Sequence, residues 1–202
     1  YRGSLVSQWL PALEGVVARL EAGIAVADVG CGHGHSTLLM AEAFPESRFR
    51  GFDVHPASVE AARRNAAEAG LDGRVSFDVA PASGFPGGSY GLICFFDALH
   101  DMGDPLGAAR QAASALAPDG TVMLIEPFAN DRLEDNLSPV ARLYYSASAS
   151  LCCANAIADG GRLVLGAQAG EARLADVFRK AGFTRFRRAS ETPFNLILEA
   201  RR

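Results

Sequence analysis

The chain has 202 residues, is 49% hydrophobic and carries a formal net charge of −4. Those values support one domain with a sizeable core and argue against broad capture of a nucleic-acid backbone. No apolar run reaches the ~20 residues of a membrane span, no signal-peptide pattern opens the chain, and the four cysteines, without C-x-x-C spacing, read as reduced thiols of a cytoplasmic protein.

The first residue is Tyr1 rather than Met, as in a fragment with residues missing upstream. Apolar residues at 5, 6, 9, 10, 13, 16, 17 and 20 recur with helical period, and Gly23 closes that predicted helix. "IAVADV" (24–29) is a short apolar run and predicts a buried strand. Ser36 and Thr37 open a helix that ends near Phe44, before Pro45. "RFRGFDV" (48–54) predicts a second strand, and Pro56 starts a helix that Gly70 terminates. "RVSFDVA" and "YGLICFF" (90–96) predict strands three and four. Asp104-Pro105 caps a helix to about Leu116, and "PDG" turns into a fifth strand, "TVMLIEP".

Such alternation predicts an α/β fold, with a Rossmann-like, doubly wound and mostly parallel sheet. Residues 127–170 are irregular and too long for a simple connection, so they are expected to form a substrate or lid insertion within a single domain, 1–202. A helix from Leu137 to about Ala154 is expected inside it. After the "EARLADVFRKAGF" helix, "TRFRRA" and "ETPFNLILEAR" lie too close together for a helical crossover. They predict an antiparallel C-terminal hairpin, for seven strands in all.

The stretch "VADVGCGHGHST" (26–37) carries the chemistry. Gly30, Gly32 and Gly34 let the backbone turn sharply and come close to a ligand beyond the first strand. A phosphate-binding P-loop needs Lys where His35 stands, and a dinucleotide fingerprint needs glycine there. Asp28, two residues before the first glycine, disfavours an anion and suits a cation. S-adenosylmethionine is cationic at sulfur and amine and has no phosphate. Asp28 is placed for its amino group, Gly30, Cys31 and Gly32 for its approach to the backbone, and Asp53 for its ribose.

"VADVGCGHG" resembles motif I of class I S-adenosylmethionine-dependent methyltransferases, and the resemblance runs over nearly the whole chain. "FRGFDVHPASVEAARRNA", "YGLICFFDALHDMGDP" and "LAPDGTVMLIEP" are similar to the family's second-, fourth- and fifth-strand segments. "ARLYYSASASLCC", "LGAQAGEARL" and "FRRASETPFNLILEAR" resemble a bacterial subgroup with a winged-helix domain ahead of the catalytic one. Such a region, absent here, would be the place for homodimer formation. The resemblance implies methyl transfer to a small-molecule acceptor at oxygen or nitrogen, leaving S-adenosylhomocysteine. An S-adenosylmethionine-binding regulator linked to that winged-helix domain is the alternative.

The resemblance also implies an acid after strand three to hold the adenine amine, and here Pro81 stands in its place. Backbone around Ala80 to Ala82 is expected at the adenine edge, with Val54 against the ring and Asp78 uninvolved. His100, just past strand four, is the candidate proton acceptor, set against simple packing. Asp97 is a candidate to orient it or hold substrate, set against turn formation. Phe95 and Phe96 wall the cleft or belong to the core; Tyr144 and Tyr145 line a substrate pocket or pack in a helix; Glu126 faces the cleft or makes a structural hydrogen bond. His33 and His35 are expected at the surface. Asp97, Asn130 and Asp131 make a poor divalent-metal set, so no metal is expected. Arg185, Arg187 and Arg188 read as a solvated strip.

Overall fold

A computed structural model, describing residues 1–202, places seven strands in one sheet: β1 (Ala25–Val29), β2 (Arg48–Asp53), β3 (Val75–Val79), β4 (Tyr90–Phe96), β5 (Leu116–Pro127), β6 (Arg185–Glu191) and β7 (Asn195–Arg201). Their order is β3-β2-β1-β4-β5-β7-β6. The first five strands pair in parallel, and β7 runs antiparallel to both β5 and β6. The predicted doubly wound sheet and closing hairpin are therefore present. The order reverses between β1 and β4, and a ligand crevice is expected beyond the carboxyl ends of those strands.

Helices α1 (Leu10–Ala12), α2 (Val16–Ala22), α3 (His35–Ala43), α4 (Pro56–Glu68), α5 (Pro105–Ala115), α6 (Pro139–Ala147), α7 (Cys153–Ala158) and α8 (Glu171–Lys180) cover the two faces. β4 shows why both must be covered: Leu92 and Cys94 enter the core shared with Trp9, Val16 and Met40, while Ile93 and Phe95 enter the core under α5 and α8. On α5, Ala108, Ala109, Ala112 and Ala113 bring the helix close to the sheet. Asp104 caps its first turn, accepting from the Gly107 amide at 2.8 Å. No helix is long and apolar enough to cross a membrane.

Two expectations need correction. The first helix is not continuous over residues 5–20. A π-helical turn, Leu5–Trp9, runs into α1 with Pro11 in its first turn; the chain is then extended at Leu13, and Gly15 (φ 66°) restarts it as α2. The periodic residues Leu5, Trp9, Leu10, Leu13, Val16 and Leu20 are nonetheless all buried, so the pattern reported the apolar face and not the helix's continuity. The helix in the insertion starts at Pro139, capped by Ser138, and continues through a π segment, Ser148–Cys152, to Ala158.

One steric slot fixes the start of the sheet. A Cβ on Gly51 would lie 2.3 Å from Cδ1 of Phe77, and one on Gly34 would lie 2.5 Å from its Cζ. Phe77 fills the space both glycines leave, and thereby seats α3 against β2 and β3. Gly51→Ala should destabilise the fold by about 1–3 kcal/mol through overpacking, measured as a shift in urea midpoint. Combining it with Phe77→Leu should recover part of the loss.

Candidate functional site

The loop after β1 is held by the end of β2. The amides of Gly30 and Cys31 both donate to the Phe52 carbonyl, at 2.8 and 3.1 Å. Asp53 accepts from the Gly32 amide through Oδ2 and from the His55 amide through Oδ1, each at 2.9 Å. The three loop glycines divide the work. A Cβ on Gly30 (φ 76°) would meet Ala98, and Gly34 (φ 77°) turns the chain into α3 against Phe77. Gly32 (φ 53°) faces open space. The glycine pattern thus reflects close packing at two positions and an open approach at one.

Asp28 is 1% exposed. Its Oδ2 accepts from the Thr37 hydroxyl at 2.5 Å, and its Oδ1 has no partner. Burial pushes this carboxyl up to about 7; the Thr37 hydrogen bond pulls it down and the Asp53 charge raises it. An unmatched buried carboxylate oxygen is costly to fold around.

A cavity of about 490 Å³ opens beside this loop. Gly30, Asp53, Val54, Ala80 and Asp97, all expected at the site, line it, whereas Asp28, Cys31 and Gly32, also expected there, are outside its lining. Val54 is exposed and offers an apolar face. Pro81, Ala82 and Ser83 form one wall and Ala98, Met102 and Gly103 another, while Asn155, Asp159 and Gly160 come from the end of the insertion. Asp53, Asp97, Asp101, Asp104 and Asp159 supply five carboxylates to the lining, with no Lys or Arg among its residues.

Phe95 needs correction as a contact residue. Phe95 is fully buried in the core beneath α5, because side chains alternate along β4 and its turn falls on the covered face. The Cys31 sulfur packs against Gly51, so only its backbone belongs to the loop's outer edge, and burial holds its thiol far above the usual range. Phe96 is half-buried, edge-on to Tyr1 at 5.7 Å. Tyr144 and Tyr145 lie away from the cavity; the Tyr144 hydroxyl donates to the Phe194 carbonyl at 3.1 Å. His33 and His35 are exposed as expected. Asp78 is bound to Arg50 at 2.8 Å and is outside the lining.

His100 is buried on the 3₁₀ turn Leu99–Asp101, next to the cavity but not in its lining. Its Nδ1 meets Glu126 Oε2 at 2.5 Å, and Glu126 Oε1 accepts from the Leu99 amide at 3.2 Å. The group that orients the imidazole is therefore Glu126, at the end of β5, and not Asp97. His100 Nε2 lies 3.2 Å from Asp101 Oδ1 without the alignment of a hydrogen bond. Burial alone would lower the imidazole; the Glu126 charge and hydrogen bond outweigh it and hold it up at about 9. Burial raises the Glu126 carboxyl, and the His100 charge offsets part of that.

Asp97 has the left-handed φ of 49° that side chains rarely adopt. It accepts from the Tyr1 hydroxyl and from Asn195 Nδ2, the latter at 3.3 Å. Burial raises its carboxyl, against the Tyr1 hydrogen bond. Neither Asn130 nor Asp131 joins it: Asp131 Oδ1 accepts from Ala172 at the start of α8, and Asn130 donates to the Asp135 carbonyl. His100 Nε2, an Asp101 oxygen and Cys152 Sγ do lie within 4.8 Å of one another. Burial beside Asp101 pushes the Cys152 thiol up to about 12, so it is a protonated thiol at neutral pH and not a ready thiolate ligand.

Three kinds of known protein are similar to this chain. A family profile described as a methyltransferase domain matches residues 20–182. The 27-O-demethylrifamycin SV methyltransferase of Amycolatopsis mediterranei is 35% identical over 107 residues, 52% of this chain and 39% of that protein. The trans-aconitate 2-methyltransferase of Methylobacterium radiotolerans is 34% identical over 149 residues, 71% of this chain and 52% of that protein. The structure of the mitomycin 7-O-methyltransferase MmcR superposes with a TM-score of 0.71 over 100% of this chain and 56% of that one, at 21% identity. That last likeness is one of fold. The matched stretches span about half or less of these curated relatives.

The histidine–glutamate pair sets a titration. His100 should remain imidazolium up to about pH 9, read from its imidazole NMR shifts. Its contribution to stability is complete below the ordinary value of about 6.5 and disappears as pH rises through about 9. In Glu126→Gln the largest opposing charge is gone while those of Asp101 and Asp97 remain, and the imidazole should titrate lower than in the unaltered chain.

Proposed function

The chain belongs to the methyltransferase-domain family, and from that premise we propose that its cavity binds S-adenosylmethionine and methylates a small molecule at oxygen or nitrogen. The observation that carries this reading is the buried Asp28 with one unmatched oxygen, set under a loop whose Gly32 faces open space. A phosphate-free cation with a primary amine satisfies that oxygen; a pyrophosphate would meet five aspartates and no basic side chain. The cavity, at about 490 Å³, is also within the range for a ligand of this size.

The bound cofactor supplies an electrophilic methyl group on its sulfonium. The residues of the chain do the rest. Asp28 takes the amine. Asp53, already held by two amides, keeps lone pairs for the ribose hydroxyls. Val54 lies against the adenine ring, and the rigid walls hold the reacting groups in line. In its neutral form, populated as pH rises towards about 9, His100 accepts the acceptor's proton at Nε2, which has no hydrogen-bond partner of its own, once the half-exposed Asp101 side chain moves aside. Glu126 fixes the ring through Nδ1 and stabilises the charge it gains. Asp97 stands at the cavity wall, where an acceptor's hydroxyl or amine is within its reach.

The His100–Glu126 pair beside the cavity supports the catalytic reading over one in which the chain only senses the cofactor. The Arg185, Arg187 and Arg188 strip offers little to nucleic acid, because these side chains pair with Glu14, Glu199, Glu171 and Glu191.

Calorimetry with S-adenosylmethionine and with NAD tests the reading: binding of the first at micromolar level and none of the second is expected, and the reverse would overturn it. Asp28→Asn should weaken S-adenosylmethionine about 10–100-fold, the loss of a charge-assisted contact. It should also raise Tm at pH 8. Because Asp28 titrates near 7 in the fold and near 4 when unfolded, ionising it penalises folding as pH rises through that interval.

His100→Gln should lower kcat about 10²–10⁴-fold with cofactor Kd unchanged, measured as S-adenosylhomocysteine release over a panel of phenols and amines. In the unaltered chain kcat/KM should climb with pH towards about 9. Glu126→Gln should move that rise to lower pH.

A further inference from the structure

The turn after β4 and the insertion bring three unlike side chains together. His100 Nε2, an Asp101 carboxylate oxygen and Cys152 Sγ lie within 4.8 Å of one another. None of them belongs to the Asp97, Asn130 and Asp131 set considered from the sequence. His100 is 4% exposed and Cys152 8%.

His100 Nε2 and Asp101 Oδ1 are 3.2 Å apart, yet they are not aligned for a hydrogen bond. Asp101 Oδ1 is buried and has no other partner. In a tetrahedral zinc site with bonds of 2.0–2.2 Å to nitrogen and oxygen, neighbouring ligand atoms stand about 3.3–3.6 Å apart. The nitrogen and oxygen are therefore already near the spacing at which two atoms share a cation. The sulfur has to close by at most about 1.2 Å.

The remainder of His100 is arranged as in a metal-bound histidine. Its Nδ1 meets Glu126 Oε2 at 2.5 Å, and Glu126 Oε1 is itself held by the Leu99 amide at 3.2 Å. A carboxylate behind the imidazole fixes the ring and makes the other nitrogen a better ligand. The backbone of the turn is held as well. The His100 carbonyl accepts from the Gly166 amide at 3.2 Å, and the Asp101 carbonyl from Asn155 Nδ2 at 3.3 Å. Both donors come from the insertion that carries Cys152, so the contacts that dock this segment also bring the sulfur to the turn. An ion pair of His100 with Glu126 leaves the buried Asp101 oxygen without a partner; a cation gives it one.

We propose that His100 Nε2, Asp101 Oδ1 and Cys152 Sγ bind one zinc ion. Imidazole, carboxylate and thiolate together suit zinc, whereas magnesium and calcium favour oxygen alone. Binding releases the thiol proton and the imidazolium proton to solvent, because only the deprotonated groups are ligands. Three protein ligands leave a fourth position for water. Resting on the methyl-transfer reading, zinc at this site is an inhibitor, since it occupies the nitrogen that takes the acceptor's proton.

The test treats the whole chain with EDTA and titrates it with Co²⁺, which takes the place of zinc and reports its ligands by absorption. A thiolate-to-cobalt charge-transfer band in the near ultraviolet is expected, displaced by Zn²⁺ and unaffected by excess Mg²⁺. Competition against a chromophoric chelator should give zinc a dissociation constant of about 1 μM or tighter. Cys152→Ala should remove the band, and Cys153→Ala, at the neighbouring thiol, should leave it. Asp101→Asn should keep the band and weaken zinc, which decides the matter if Cys152→Ala does not fold. Glu126→Gln should also keep the band and weaken zinc about 10–100-fold. No band in the unaltered chain, a band that survives in folded Cys152→Ala, or zinc affinity unchanged in Asp101→Asn would each overturn the site. Bound zinc should stop S-adenosylhomocysteine release over the panel of phenols and amines, and EDTA should restore it; turnover unaffected by bound zinc would overturn the inhibitory role. A chain that bound zinc but not S-adenosylmethionine would remove the methyl-transfer reading and leave the zinc site standing, so the two failures are distinct.

Discussion

The end of β2 holding the loop after β1 is the interaction on which the site depends. One carbonyl, that of Phe52, takes two successive amides, and one carboxylate, that of Asp53, takes a third from the loop and a fourth from its own turn. With those bonds the positive φ values of Gly30, Gly32 and Gly34 become a single fixed path. The steric slot around Phe77 acts in the same direction, since it sets how far α3 stands from the sheet. Asp53 therefore contributes to the fold before it contributes to a ligand. Each of its oxygens accepts one amide and keeps a further lone pair, and the residue lines the cavity.

Charge is arranged at the expense of stability. Asp28 is buried with an unmatched oxygen, Asp97 has a strained backbone, and Asp159 sits at the wrong end of a helix. Sites that break local rules while the surroundings keep them are expected where function is housed. All three are carboxylates, and Asp97 and Asp159 line one cavity. Five aspartates without a basic partner in the lining make a field that welcomes a cation and repels phosphate. Arginines are plentiful elsewhere, but they are spent in surface pairs, such as Arg188 with Glu171 and Glu191.

The segment 127–170 borders the candidate site at one end, through Asn155, Asp159 and Gly160. Its helical run from Pro139 to Ala158 is anchored at one end by the Tyr144 contact to the β6–β7 turn and at the other by the packing of Gly103 and Gly161. Between these anchors Cys152 reaches Asp101, next to His100. One segment thus touches the neighbourhood of the candidate proton acceptor and the lining of the cavity. Differences in such a segment between proteins of similar fold change the acceptor without altering the loop that binds the cofactor.

The strands, most helices and the glycine loop were legible in the amino-acid sequence because each is a local matter: side-chain period, a proline at a helix start, glycines where φ must be positive. Asp28 and Asp53 were singled out in the same way, from their distance to those strand ends, and Val54 and Pro81 from the family resemblance. The break in the first helix was not, because the buried residues keep their period across it. Nor was the inward turn of Phe95, since the strand's last residues alternate between cleft and core and only the packed sheet decides which. Glu126 is 26 residues from His100, and Asn155 and Asp159 reach the cavity lining from a segment well beyond β5. No periodicity links such residues. Their meeting depends on the register of β4 against β5 and on where the insertion comes to rest, and only tertiary packing determines either.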